Sequence, residues 1–513
     1  MTLNEYLRNP SMALPSVACT VWVLYIASLA IYRLYLSPLA KFPGPKLAAL
    51  TRWYEAYYDI ALKGKFGFNI QDMHKKYGPI VRIAPDELHI QDSDFWDELY
   101  VKNPRADKPS WWASRFGNEG AIFSTSNATV HRRRKGALNP MFSRRSILNF
   151  QPVIREKAEL LCKQIAKYKD TGAPLVVNEA FPAFSGDIMT EYAFGVCYNH
   201  VESPNFSESL HSAFMAVAVL GHAAIQFPLL HSILNLLPDS LAEKLNPAVR
   251  SLLLVHQDIA KRIKSIINKE EQLDKTSFHR TVFDEVLDSD LPPEYKTAKF
   301  LADEAQSLIG AGTETVSWAL CTGTFHIINT PRIYKKLRDE LFEAIPDASR
   351  QLDCVQLEKL PYLRACIHES ARLSYGVCTR SPRVPDKPLV YKDWVIPART
   401  TVSMTVTGIH HDENIFPDSH SFVPERWLGN PKAPSGFPLD HYFVSFGKGP
   451  RSCLGVNLAY VEMFLAFAMI FRRFGLELYE TDISDVELKH DLFIPFAKLD
   501  SKGVRVRVKE IYT

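Results

Sequence analysis

The chain has 513 residues, 46% hydrophobic and 23% charged, with a formal net charge of only +3. So small a charge excludes a general nucleic-acid binder. The eight cysteines form no close C-x-x-C pair, which excludes a disulfide framework or a zinc site and fits a reducing compartment.

Length alone suggests about three domains, yet the composition runs evenly, without a Gly/Ser linker or internal repeat, so one large core is expected. Met12 to Tyr32 is 21 residues without a charge. At about 1.5 Å per residue a helix of that length spans the hydrocarbon core of roughly 30 Å. The run exceeds the roughly 7 to 15 residues of a signal-peptide core and no A-x-A site follows, which favours an anchor over a cleaved leader. Arg8 precedes the span whereas Arg33, Lys41, Lys46 and Arg52 follow it, so the positive-inside rule puts the body in the cytoplasm. Pro38 to Pro45, with Phe42-Pro43-Gly44-Pro45, is a stiff hinge that cannot continue the helix. The expected organisation is residues 1–37 as anchor, 38–46 as hinge and 47–513 as one catalytic domain. Two glycosylation patterns, Asn127-Ala128-Thr129 and Asn205-Phe206-Ser207, would go unused in that orientation.

Ile80 to Ile83 and His89-Ile90 read as a strand pair with a turn at Ala84 to Glu87. Helical periodicity dominates from about Asp94 to Asn329. The fold class is therefore mainly α with a small β region. The basic run His131 to Lys135 reads as a helix with a largely solvated basic face. Lys296 to Asn329 is a long apolar helix interrupted by Gly310-Ala311-Gly312-Thr313-Glu314-Thr315. Each of its two glycines costs about 1 kcal/mol relative to alanine. Leu308, Ala311 and Thr315 share one face, so the helix back can approach a flat cofactor with a hydroxyl at the edge of the gap. Thr315 can bond back to a carbonyl and widen the helix locally, and Glu314 supplies a titratable group. Taken alone, Thr315 would satisfy its own backbone and Glu314 would be solvated.

Farther on, Glu369 and Arg372 form an i, i+3 pair that alone means little, followed by Pro424-Glu425-Arg426-Trp427. Then comes Phe446-Gly447-Lys448-Gly449-Pro450-Arg451-Ser452-Cys453-Leu454-Gly455. A free thiol has a pKa of about 8.5, lowered by a helix N-terminus and nearby cations, and the thiolate is the metal ligand. Cys453 precedes the apolar helical run Val456 to Phe474, and Arg451 adds a charge. Gly449 permits a sharp turn and Gly455 a close approach of a macrocycle, while Phe446 can cover the sulfur. A lone cysteine is more often an inert buried hydrophobe, but five specified positions within the decapeptide outweigh that reading.

This decapeptide resembles the haem-thiolate loop of the cytochrome P450 family, on Phe446, Gly449, Arg451, Cys453 and Gly455. The resemblance covers nearly the whole chain. It implies haem b with Cys453 as the axial iron ligand, Ala311 beside the haem, and Glu314 with Thr315 as the acid and alcohol that relay protons during dioxygen reduction. Glu369, Arg372 and Arg426 become a buried structural network. His131 stands where the family has Trp and Lys135 where it has Arg; with Arg383 and Arg451 they become candidate propionate donors, and Arg380 is a close rival. Ser374-Tyr375-Gly376 replaces the family's proline-rich turn. Tyr77 to Arg82, Ser374 to Val377 and His131 to Ser143 are similar to the filamentous-fungal branch resembling trichodiene oxygenase.

The implied activity is a monooxygenase of the endoplasmic reticulum membrane, single-pass, hydroxylating or epoxidising an apolar secondary metabolite such as a terpenoid or polyketide. No flavin or G-x-G-x-x-G unit is evident, so electrons are expected from NADPH-cytochrome P450 reductase, with cytochrome b5 as an optional second donor. Substrate selection falls to Trp111-Trp112 to Phe123, Phe214 to Leu230, Leu308 to Ala311, Val377 and Phe493-Ile494. A same-fold peroxide isomerase or dehydratase, and a non-catalytic membrane haem protein, remain as alternatives; the Glu314 and Thr315 pair speaks against both.

Overall fold

The computed structural model describes residues 10–206, 211–236, 247–268, 280–350 and 353–512. Ser207, in the second glycosylation pattern, lies outside them.

Helix α1, Pro10–Ile31, continues through a wide π turn at Tyr32–Leu36. Within it Ser16–Leu36 is long and apolar enough to cross a membrane, and none of that stretch is buried against the body. The helix outlasts the uncharged run: the Arg33 guanidinium reaches the Leu50 carbonyl of the body. The segment after it is pinned to the body. Phe42 is buried and stacks on Trp394 with centroids 5.0 Å apart, and the Pro43 carbonyl accepts from Arg82 N–H at 2.7 Å.

The expected strand pair forms as β1 (Ile80–Ala84) and β2 (Glu87–Ile90), antiparallel. Helices α2 (Ala128–Leu138), α3 (Arg144–Thr171), α4 (Val177–Phe194), α5 (His211–Gln226), α6 (Pro247–Asn268), α7 (Ala298–Asn329), α8 (Pro331–Ala344) and α9 (Pro361–Ser374) follow, and α10 (Val456–Arg473) closes the series. Strands β3 (Leu175–Val176), β4 (Leu389–Tyr391), β5 (Trp394–Ile396), β6 (Thr401–Ser403), β7 (Phe474–Leu478), β8 (His490–Leu492), β9 (Ile494–Phe496) and β10 (Arg505–Ile511) complete four small sheets among the described residues. β6 joins β2 in parallel to give the order β1-β2-β6. The fold is mainly α with a small β region, as the sequence leads one to expect.

Helix α4 is buried almost end to end, which its lack of a polar face requires. It packs on α7, α7 packs on α9, and α10 lies against both α9 and α3. Phe184, Ile188, Leu320, Phe325, Ile367, Phe464, Phe467 and Phe471 form one continuous core through these helices. Each such side chain contributes roughly 1.5–3 kcal/mol on burial.

The glycines of α7 serve helix packing, apart from the Leu308, Ala311 and Thr315 face expected to approach a cofactor. A Cβ on Gly310 would meet Phe214 Cδ1 of α5 at 2.6 Å, and one on Gly312 would meet Met189 Cγ of α4 at 2.5 Å. Close approach of neighbouring helices offsets their helix-propensity cost.

Candidate functional site

The loop before α10 is closed by one backbone bond, from the Cys453 N–H to the Phe446 carbonyl at 2.8 Å. Gly449 makes the sharp turn, with φ +73° and a Cβ position that would strike the Tyr100 carbonyl oxygen. Gly455 differs: its φ of −87° is ordinary, and a Cβ there would meet no protein atom within 4 Å. Its smallness therefore bears on what approaches the loop. The Phe446 ring packs against Tyr460 at 5.3 Å.

The surroundings of the Cys453 sulfur depart from expectation. Its residue is exposed on one side, where a hollow of about 470 Å³ runs along Arg132, Lys135, Asn139 and Asn457. Burial on the other sides raises its thiol pKa, while the Gly455 N–H and the Lys135 charge act to lower it. The positive charge felt there is that of Lys135. Arg451 turns away and donates to the carbonyls of Thr125 (2.8 Å) and Ser126 (2.6 Å), just before α2.

Helix α2 starts at Asn127, whose side chain accepts from Thr129 and Val130 N–H groups, both at 3.0 Å. That cap sets the helix phase, which buries His131 and turns Lys135 onto the cysteine loop. Lys135 Nζ donates to the Ser452 carbonyl at 2.6 Å and to that of Pro450 at 3.2 Å. Its expected place among the propionate donors is thereby taken by a role in holding the loop.

Around His131 the structure gathers cations. His131 is 6% exposed and its Nδ1 has no partner among the described residues. Its pKa is pushed down to about 2 by burial and by the charges of Arg451, Lys108, Lys135 and Arg383. Arg451 is pushed down to about 9 by burial and Arg383, against Asp107. Lys108, 6% exposed, is driven well below its usual range by burial, Arg451, Arg383 and Arg115. Arg383 spends one nitrogen on the Pro382 carbonyl at 2.9 Å and lies over the Tyr100 ring. Asp107, the carboxylate acting on this group, is already occupied by the Ala128 N–H at 2.9 Å. The rival Arg380 is spoken for: it is buried between Glu87 (2.7 Å) and Glu55 (2.8 Å).

Across the core, Ala311 is exposed and Thr315 partly so, although they lie mid-helix in α7, Thr315 between the buried Glu314 and Val316. The Thr315 hydroxyl donates to the Ala311 carbonyl at 2.8 Å, and the helix stays regular throughout, without the local widening expected. Glu314, one residue before Thr315 and about 100° round the helix, points the other way. Its Oε2 lies 2.8 Å from His211 Nδ1 on α5, and its buried Oε1 has no partner among the described residues.

Glu369 and Arg372 pair through 2.7 Å and 2.9 Å bonds, Arg426 joins Glu369 at 3.1 Å, and the Trp427 indole N–H donates to it at 2.8 Å. The two Arg372 Nη groups donate to the carbonyls of His410, Ser419 and Ser421. Burial pushes Glu369 up, but Arg372 and Arg426 outweigh it and hold its carboxyl below the usual range.

The Cytochrome P450 family profile matches residues 50–499. The chain is 50% identical, over 95% of its length and 96% of the relative's, to the cytochrome P450 monooxygenase sdnE of Sordaria araneosa. This chain is a cytochrome P450. It is also 41% identical to the cytochrome P450 monooxygenase MO6277 of Ascocoryne sarcoides, over 95% of this chain and 97% of that one. The tryptophan 6-hydroxylase fscE of Fusarium equiseti is 40% identical over 98% and 99% of the two chains.

A cytochrome P450 binds haem through a cysteine thiolate, works as a monooxygenase and draws electrons from a redox-partner reductase. The residues present fit that group. A buried basic cluster with an orphaned imidazole nitrogen suits two propionates, and the unfilled Cβ position at Gly455 suits a flat ring beside the loop. Sequence reading missed Lys108 and His211. No spacing marks either, because Lys108 acts from an irregular loop and His211 lies 103 residues from its partner.

Proposed function

We propose that this cytochrome P450 holds haem b with Cys453 as iron ligand and binds the propionates through His131, Lys108, Arg383 and Arg451. The observation that carries this reading is the cluster of cations around His131, which among the described residues lacks a matching set of carboxylates. When bound, the haem supplies the reductive activation of O2 and the insertion of one oxygen atom into a C–H or C=C bond. Thr315 presents its hydroxyl toward the cofactor side of α7, and Glu314 exchanges protons with His211 behind it. Glu369, Arg372 and Arg426 hold the scaffold under the cysteine loop. Lys135 fixes that loop from the carbonyl side.

Residues 1–37 serve as a single-pass anchor in the endoplasmic reticulum membrane, 38–46 as its connection, and 47–513 as a cytoplasmic catalytic domain. Electrons come from NADPH-cytochrome P450 reductase, with cytochrome b5 as an optional donor. The substrate is an apolar secondary metabolite of terpenoid or polyketide type, hydroxylated or epoxidised; one relative is named for hydroxylating tryptophan, so a polar group on an apolar frame fits the same class.

The test is the reduced, carbon-monoxide-bound spectrum. A band at about 450 nm is expected from thiolate ligation, lost in Cys453→Ser. A band that survived the substitution would overturn the assignment, and turnover without O2 or reductase would favour a peroxide isomerase.

A further inference from the structure

We infer that Arg115 is an anion anchor in the substrate chamber, and that the substrate carries a carboxylate on an apolar frame. This deepens the haem-thiolate reading and rests on it.

Arg115 belongs to the short turn Ser114–Phe116 in the loop leading to α2. It is 1% exposed, and Nε, Nη1 and Nη2 all lack an acceptor among the described residues. A buried guanidinium with its whole donor fork unused is unfavourable unless an acceptor arrives. The acids whose charges reach it are Asp491, Asp59 and Glu55, and none pairs with it. Each accepts hydrogen bonds elsewhere, Asp491 through one oxygen. Asp491 Oδ1 accepts from the Phe493 N–H at 3.1 Å and from Cys378 Sγ at 3.4 Å. Asp59 accepts from the Phe66 N–H at 3.1 Å and lies 3.1 Å from His222 Nδ1. Glu55 pairs with Arg380.

The fork is ringed by aromatic faces, with its central carbon 4.8 Å from the Trp112 centroid, 5.0 Å from Phe493 and 5.9 Å from Phe116. Phe493 sits at the β8–β9 tip with φ +79°, a left-handed conformation unfavourable for Phe. Asp491 and the Cys378 N–H, which donates to the Phe493 carbonyl at 3.1 Å, hold it there.

These rings connect Arg115 to the haem side. Phe123 packs on both Trp112 and Phe493 at 5.5 Å, and Lys108 of the propionate cluster lies 3.9 Å above the Phe123 ring. Helix α7 fixes the same loop: Asp303 accepts from the Gly120 N–H and Glu304 from the Ile122 N–H, both at 2.8 Å. Arg115 acts on Lys108 at the near edge of the propionate cluster, while the leading charges on His131 at its centre are Arg451, Lys108, Lys135 and Arg383. Aromatic rings around one fork of donors suit a rigid hydrocarbon or aromatic body ending in a carboxylate, which that fork can grip with two parallel bonds.

The test uses the reductase-free holoenzyme and spectral titration with abietate and dodecanoate, each against its methyl ester, with sodium acetate as a free-anion control. The acids are expected to bind at least about tenfold more tightly than the esters, about 1.4 kcal/mol. Arg115→Gln should remove that preference with haem content and the carbon-monoxide band unchanged, and Arg115→Lys should keep part of it. Equal affinity for acid and ester, no binding of either acid, a preference that survives Arg115→Gln, or competition by acetate equal to that of the acids would overturn the anchor. Loss of haem from both variants would instead make Arg115 a propionate donor, which also overturns it. A wild type without the band near 450 nm overturns the underlying haem-thiolate reading, which the other outcomes leave standing.

Discussion

His211 Nδ1 and Glu314 Oε2 lie 2.8 Å apart, joining α5 to the middle of α7. Burial pulls the imidazole pKa down, but the charge and hydrogen bond of Glu314 and the charge of Glu179 outweigh it, so His211 is held above its ordinary value. Glu179 on α4 and Cys321 on α7 complete the group; burial raises both. A raised histidine pKa means that the stability from this pair is fully present below about pH 6.5 and is lost as the pH rises through the folded value. His211→Gln should therefore destabilise the protein more at pH 6 than at pH 9. If Glu314 delivers protons, Glu314→Gln lowers kcat by about a hundredfold or more with the 450 nm band intact, and His211→Gln removes an inflexion above pH 6.5 from the kcat profile. Identical profiles for wild type and His211→Gln would take His211 out of the relay.

Chemistry that is local in the chain was the legible part. Phe446 to Gly455 reads correctly as a closed turn before a helix, because the turn, the glycine at φ +73° and the helix start all fall within a dozen residues. The helix Lys296 to Asn329 is found within two residues of its start, since an apolar run between a threonine cap and Thr330-Pro331 has few alternatives. The directions of long side chains were not legible. Arg451 and Lys135 reach carbonyls that tertiary packing puts within range, and Gly310 and Gly312 answer to Phe214 and Met189, residues 96 and 123 positions away. β6 is three residues long, too short for alternation to show.

Arg380 between Glu55 and Glu87 is a buried charge network in the β2 and β6 region, and Ser403 Oγ adds a bond to Glu87 at 2.9 Å. Burial pushes Glu87 up, but Arg380 and Arg52 outweigh it and its pKa ends below the usual range. Its contribution is present above about pH 4.5 and is lost as the pH falls through the folded value. Glu87→Ala strips a buried guanidinium of one partner and should cost about 3–5 kcal/mol. A urea midpoint that fell markedly at pH 7 and approached wild type near pH 3 would fit. An unchanged midpoint at pH 7 would show that Glu55 alone satisfies Arg380.

Lys108 predicts opposite signs for two measurements. In the haem-free protein it is a buried cation among cations, so Lys108→Met should raise apoprotein stability by relieving repulsion and desolvation. In the holoprotein the same substitution removes a propionate donor and should speed haem transfer to apomyoglobin several-fold. A variant that lost both apoprotein stability and haem would be a packing defect through Phe123, over whose ring the ammonium sits at 3.9 Å.

Gly310 and Gly312 separate packing from helix propensity. Alanine favours a helix interior by about 1 kcal/mol over glycine, so in open space either substitution would stabilise α7. At Gly310 the new methyl meets the ring of Phe214, a buried and rigid group, at 2.6 Å. At Gly312 it meets the flexible chain of Met189. Overpacking costs about 1–3 kcal/mol, so Gly310→Ala should be net destabilising while Gly312→Ala stays near neutral. Phe214→Leu should cost less in the Gly310→Ala background than in wild type, because the shorter side chain removes the clash. Additive costs in that double-mutant cycle would mean that α5 shifts as a unit, and the His211 to Glu314 contact on the same helix pair should then weaken with it.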